Sequence, residues 1–112
     1  MLTSSKKSKG HRLESLVRDR VIEAFDLDPQ DIRIPISGEH GHDIIISGAK
    51  AKARAPFGIE CKAWEKFKMI YDIYMKAAER DKKLVPLVVI KSNHKQPLVI
   101  LDLDHFLTLI RK

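Results

Sequence analysis

The sequence contains a single cysteine, Cys61, among its 112 residues. One cysteine cannot form a disulfide within the chain, and free thiols are typical of a reducing compartment. The longest apolar runs, LVPLVVI and PLVIL, are too short to cross a bilayer, and the opening residues, MLTSSKKSKGHR, lack the apolar core of a signal peptide. We therefore expect a cytoplasmic protein that does not associate with a membrane.

Composition indicates a globular protein with an acidic partner. Hydrophobic residues make up 44% of the chain and charged residues 32%, and the length suits one ordinary domain. The net charge of +6 favours a polyanion such as nucleic acid, although a merely soluble basic surface would give the same value. We predict a flexible basic N-terminal tail over residues 1–10 and a single domain over residues 11–112.

Hydrophobic periodicity predicts alternating helices and strands. The helices are expected at residues 11–25, 64–81 and 104–112, the strands at 31–37, 43–47, 57–63, 84–91 and 97–103, and a basic hairpin or loop at 48–58. Pro35 restricts the first strand to a sheet edge, since proline lacks the N–H group of a central strand. This order predicts an α/β fold with a mixed central sheet flanked by helices.

The segment GIECKAW, residues 58–64, places two opposite charges on a predicted strand. Glu60 and Lys62 are two residues apart, so their side chains point to the same face. Burying an unpaired carboxylate and an unpaired ammonium is costly, and a buried position would require a compensating partner. The alternative interpretation is an ion pair on the solvated face of a one-sided sheet.

Two further acids lie at positions that local structure explains only in part. Asp43 opens an apolar strand, where it either caps the preceding turn or faces the neighbouring strand. Glu14 lies at about 100° around helix 11–25 from Leu13, between the apolar positions Val21 and Phe25. Its carboxylate is therefore directed at the protein body, unless it reaches solvent from the edge of that face.

Carboxylates on two neighbouring strands can hold a hard divalent cation such as Mg²⁺, or Mn²⁺ in its place. The carbonyl of Cys61 would add a third oxygen, and Lys62 would orient a water whose pKa the metal lowers. A transition-metal site on His40 and His42 is the weaker alternative, because histidines in a glycine-rich turn are usually exposed or contact phosphate. The Cys61 side chain itself is expected to be a small core group and not a nucleophile.

The segments HDIIIS and GIECKAW together resemble the active-site core of the PD-(D/E)XK nuclease superfamily, in which an Asp is followed by Asp or Glu, one residue and Lys. KGHRLE and the later segments APFGIECKAWEKFKMIYDIYMKAA and PLVVIKSNHKQPLVILDLDHFLTLI are similar to small phage Holliday junction resolvase-like endonucleases. The resemblance runs from about Lys9 to Ile110. The chain departs from the pattern at His42, which replaces the proline, and at Lys76, near the place of a helper glutamine.

The resemblance implies a restriction-endonuclease-like fold and Mg²⁺-dependent hydrolysis of DNA, most of all at four-way junctions, in the host cytoplasm if a phage encodes the chain. The metal ligands would be Glu14, Asp43, Glu60 and the Cys61 carbonyl, and Lys62 would position the attacking water. The residues expected to contact the DNA backbone are Lys6, Lys7, Lys9, His11, Arg12, Lys50, Lys52, Arg54 and Lys76. The alternatives are another nuclease of the superfamily (restriction-like, flap or nicking) and a non-catalytic DNA-binding module of the same fold.

A resolvase must cut two strands, so we also expect a homodimer. The candidate contact residues are apolar side chains at the edge strand, on helix 64–81 and on the last helix, namely Ile32, Ile34, Met69, Ile73, Phe106, Leu107 and Ile110. In contrast, Trp64, Tyr71 and Tyr74 lie on the apolar side of their helix and are expected in the core.

Overall fold

The computed structural model describes residues 2–36 and 41–111, with side chains from residue 10 onward. Its elements are α1 (Leu2–Phe25), β1 (Ile32–Arg33), β2 (Ile45–Ile46), α2 (Ala49–Arg54), α3 (Lys68–Arg80), β3 (Val88–Ile90), β4 (Leu98–Ile100) and α4 (Leu103–Ile110). Over these residues the protein is a mixed α/β structure with four helices and two small antiparallel sheets, which confirms the α/β class. Within the described ranges, no helix has the combination of length and apolar character that spanning a bilayer requires.

The chain divides into two compact units, Met1–Ala63 with Ile110–Lys112, and Trp64–Leu109. The core of the first unit is built on α1, where Val17, Val21 and Phe25 follow one another at four-residue spacing and are all buried. The helix was predicted from this stripe, but it begins at Leu2 and not at residue 11. Within the predicted tail, the backbone of residues 2–10 is therefore helical and belongs to α1.

β1 and β2 pair antiparallel, with Ile32 opposite Ile46. β1 ends at Arg33, well short of the predicted residue 37, and the nearby Pro35 has no N–H to donate. The predicted strand 57–63 is wrong, because it contributes one bridge only, between Ile59 and Ile44. Beyond this bridge the N–H of Cys61 bonds a carboxylate oxygen instead of a strand carbonyl, so the ladder does not continue.

The basic segment that was predicted as a hairpin or loop contains the helix α2, Ala49–Arg54. Its sequence, AKAKAR, consists entirely of strong helix formers. Gly48 precedes it with a φ of 88°, which glycine adopts without strain. Ala51 and Ala55 are buried on its inner side, so the helix contributes to the core of the first unit.

The second unit contains α3, the β3–β4 hairpin and nearly all of α4. In the hairpin Val89 lies opposite Val99, and both side chains remain exposed. Asp102 caps α4, since its carboxylate accepts the N–H of His105 at 3.1 Å, and its own N–H donates to the Tyr74 hydroxyl. Among the described residues of this unit, the buried apolar side chains are Val88 and Leu107.

The solvent exposure of apolar side chains in α3 and α4 differs from what the sequence interpretation predicted. Tyr71, which was expected in the core, is 65% exposed, and none of the residues of α3 is buried. Met69 and Ile73 are exposed, as their position outside the apolar face predicts. Two of the candidate dimer residues, Ile32 and Leu107, are buried within the chain itself and so cannot form a subunit contact.

Candidate active site

The first unit holds Asp43 and the segment that carries Glu60 side by side. The N–H of Asp43 donates to the carbonyl of Ile59 at 3.0 Å, and the N–H of Cys61 donates to Oδ2 of Asp43 at 2.7 Å. The bridge between Ile44 and Ile59 adds a third connection between the same segments. Because the carboxylate is bonded to a backbone donor, its position is set by the backbone of the neighbouring segment.

Glu60 is paired with a histidine that the sequence analysis treated separately. Nδ1 of His42 lies 3.2 Å from Oε1 of Glu60, and both side chains are more than half exposed. The imidazole lies against Gly58, where a Cβ atom would come within 2.5 Å of Nε2 of His42. Gly58 therefore leaves the space that the ring occupies, and this role could not be predicted from sequence patterns.

Glu14 is mostly covered, in agreement with its predicted inward direction on α1. Its side chain is 21% exposed, and its carboxylate lies 3.4 Å from Nδ1 of His11, one turn earlier on the helix.

The three predicted acidic residues converge on Cys61. Burial, followed by the negative charge of Asp43, raises the pKa of the Cys61 thiol from its ordinary 9.0 to about 11. Glu14 and then Glu60 add smaller effects in the same direction. The carboxylates that come from α1, from the start of the β2 segment and from the segment after Gly58 thus all lie within electrostatic range of the Cys61 thiol, and Asp43 also contacts the backbone of Cys61.

The chemistry of these groups suits a hard divalent cation, since carboxylate oxygens are the ligands that Mg²⁺ prefers. The arrangement of these groups in the structure is less suited to binding a metal ion. Within residues 2–36 and 41–111, no group of three His, Cys, Asp or Glu side chains is arranged to hold a metal ion. Asp43 already accepts the N–H of Cys61, and Glu60 contacts His42. The donor set fits the metal, whereas the ligand geometry of a metal centre is not formed.

Lys62 follows Glu60 by two residues, and both side chains are exposed. The part of the chain with described side chains contains no buried charged residue. The burial cost that the sequence interpretation attached to Glu60 and Lys62 therefore does not arise.

The predicted DNA-contacting residues lie on several elements. His11 and Arg12 are exposed on α1, Lys50 and Lys52 on α2, and Lys76 on α3 in the second unit. The side chains of Lys6, Lys7 and Lys9, and all of His40, lie outside the described residues. Arg54 has a structural contact, because its guanidinium donates to the carbonyl of Asp26 at 2.8 Å and so connects α2 to the end of α1.

A groove of about 500 Å³ lies beside the His42–Glu60 pair in the first unit. Its apolar surface comes from Ile44, Ile46 and Phe57, and its polar groups are His42 and Lys52. The sequence analysis missed this groove.

No protein family, no curated protein and no solved structure matches this chain.

Proposed function

We propose that this chain is a divalent-metal-dependent DNA endonuclease of the PD-(D/E)XK type that acts on branched DNA such as a four-way junction. The observation that carries the proposal is the hydrogen bond from the Cys61 N–H to Asp43, because it joins the two segments that the resemblance selects. The charges of Glu14 and Glu60 also act on the Cys61 thiol, which supports the choice of these acids.

The contact of Asp43 and the exposure of Lys62 support a hydrolytic role for this region. Asp43 is held by the Cys61 N–H, and an oriented carboxylate loses little freedom on binding a cation. Lys62 follows Cys61 directly in the sequence and is exposed, so its ammonium can orient a water and offset charge on a phosphate. When bound, Mg²⁺ or Mn²⁺ would supply the positive charge that lowers the pKa of a coordinated water.

The order of elements supports the finer fold assignment. A long helix, two paired strands with a bridging segment, a helix, a hairpin and a final helix follow one another in the order that the sequence predicts, with α2 as an addition. The mixed central sheet itself is not formed in the described residues, where the two sheets are separate and antiparallel. The net charge of +6 and the exposed Lys50 and Lys52 favour DNA as the substrate. Contacts to phosphates would make recognition depend on DNA shape and not on base sequence.

The experiment is cleavage of an end-labelled four-way junction with Mg²⁺, with Mn²⁺ and with EDTA. A linear duplex that contains the sequence of two junction arms is the matched control. We expect metal-dependent nicks near the branch point and much slower cleavage of the linear duplex. Absence of cleavage with either metal, at protein concentrations that bind the junction fully, would refute the nuclease assignment.

A non-catalytic DNA-binding module is the second candidate. It is favoured by one observation, namely that no three described ligand side chains form a metal centre. This candidate predicts that the junction binds equally well with EDTA and with Mg²⁺ and remains intact in both. The same gel therefore separates the two candidates.

A further inference from the structure

The second unit exposes a tryptophan in front of the short 3-10 turn Glu65–Phe67. Trp64 is the only tryptophan of the sequence, and 53% of its surface is accessible to solvent. The sequence interpretation placed it in the core of helix 64–81, and the structure shows that this is wrong. Large apolar side chains that remain exposed frequently mark a binding surface.

The indole is held in place by two neighbours. The ring of Phe67 stacks on it with centroids 5.7 Å apart and planes inclined by 14°. Trp64 precedes this turn in an extended conformation, and Phe67 is the last residue of the turn. The ammonium of Lys66 lies over the indole, 5.7 Å from the ring centroid. We call Trp64, Lys66 and Phe67 the Trp64 platform.

We propose that the Trp64 platform stacks an unpaired base of single-stranded DNA and that Lys66 then contacts the phosphate next to that base. A flat aromatic surface accepts any base, because every base has a π face, and a neighbouring cation adds attraction for the backbone. The net charge of +6 gives the complementary charge for a polyanion. The inference rests on the proposed function only in taking DNA as the partner, and it does not require cleavage.

The stacked pair of Trp64 and Phe67 offers a base a surface that is already formed. The stacked pair of Trp64 and Phe67 is already ordered, so an incoming base would lose its own freedom without the additional cost of ordering the aromatic side chains. Lys66 has a long flexible side chain, so its ammonium can leave the indole face and remain close enough to bind a phosphate.

The test uses the fluorescence of Trp64, which reports this site alone because the chain has no other tryptophan. The protein is titrated in EDTA, at low salt, with an oligodeoxythymidine of about ten nucleotides. An abasic oligonucleotide of the same length and charge is the control. We expect the thymidine strand to quench the indole at saturation, whereas the abasic strand binds through its phosphates and leaves the emission unchanged.

Variants give an independent measure through the anisotropy of a labelled thymidine strand. Trp64→Ala is expected to weaken binding by about tenfold, which is typical of the loss of one stacked base. Trp64→Phe retains a stacking surface and is expected to remain within about twofold of the wild type. Tyr71→Leu, which changes an exposed aromatic residue outside the platform, serves as the matched control and should not alter affinity.

Equal quenching by the two strands, or saturated binding of the thymidine strand without quenching, would overturn the proposal. These measurements use the wild-type protein, so they decide the question even if a variant fails to fold. Quenching without any junction cleavage would retain the platform and refute the nuclease proposal. Cleavage without quenching would refute the Trp64 platform and retain the nuclease proposal.

Discussion

The backbone N–H of Cys61 donates a 2.7 Å hydrogen bond to the carboxylate of Asp43. This bond connects the residue that opens the β2 segment with the residue between Glu60 and Lys62. It also places a negative charge beside the Cys61 thiol, whose pKa burial and this charge raise to about 11. A thiol with this pKa is protonated at neutral pH and is a poor nucleophile, as the sequence interpretation expected, but its side chain is half-buried and not the core group that was also expected.

The first prediction uses Cys61 as a probe of the converging acids. The rate of alkylation by iodoacetamide follows the thiolate fraction, so its pH profile should rise towards an inflection near 11 and not near 9.0. Asp43→Asn removes the largest electrostatic contribution, and the inflection should therefore move to lower pH. Asp19→Asn, an exposed acid on α1, is the control. An inflection at 9.0 in the wild-type protein would contradict the convergence.

The second prediction concerns Glu14. Glu14→Gln keeps the shape of a mostly covered side chain and removes only its charge, so the melting temperature should change little. If Glu14 is a metal ligand, junction cleavage should fall by more than about 100-fold. Glu23→Gln, an exposed position on the same helix, should leave both quantities unchanged. A Glu14→Gln protein that is destabilised but fully active would assign this residue a structural role.

The third prediction concerns the end of α1. Asp26 follows the helix with a φ of 53°, a left-handed conformation that costs free energy for any residue with a Cβ atom. Asp26→Gly should raise the free energy of unfolding by roughly 0.5 kcal/mol, since Arg54 still bonds the backbone carbonyl.

Urea unfolding measures the effect of Asp26→Gly. The side chain of Asp26 is fully exposed, so the loss of its carboxylate near Arg54 should matter little. Asp28→Ala is the contrasting variant, because Asp28 accepts the N–H of Gln30 at 2.9 Å and its loss should destabilise by about 1 kcal/mol. A lower stability of Asp26→Gly would mean that the carboxylate outweighs the backbone conformation.

Sequence patterns predicted the parts of the structure that local physics controls. The stripe of Val17, Val21 and Phe25 defined α1, because a helix buries residues at this spacing. The same periodicity failed for Trp64 and Tyr71, since it identifies one side of a helix and not what covers that side. Helix α2 was not predicted from the sequence. Its alternating Ala and basic residues have high helix propensity, but they form no stripe of large apolar side chains.

The candidate site could also be predicted from the sequence only in part. The choice of Glu14, Asp43 and Glu60 came from the sequence, and their convergence on Cys61 agrees with it. The contact of His42 with Glu60 could not be predicted, because it depends on the empty space at Gly58 and on a pairing of distant segments.

The fourth prediction is that the protein forms a homodimer. The exposed apolar side chains of the second unit would form the interface. Met69 and Ile73 on α3 are exposed, and such surfaces are usually covered by a partner. We expect light scattering at micromolar concentration to give twice the 12.8 kDa of one chain. Ile73→Lys should shift the mass towards the monomer. A wild-type mass that stays near 12.8 kDa, with or without junction DNA, would contradict the dimer.

The most direct measurement is single-turnover cleavage of a four-way junction by the wild type and by Asp43→Asn, side by side, with Mg²⁺. The amide of this variant would keep an oxygen for the Cys61 N–H and lose the charge, so the fold and DNA binding should persist. We predict that the wild type cleaves the junction and that the variant cleaves it at least about 100-fold more slowly at equal junction affinity. Cleavage by the variant at the wild-type rate would contradict the assignment of this site.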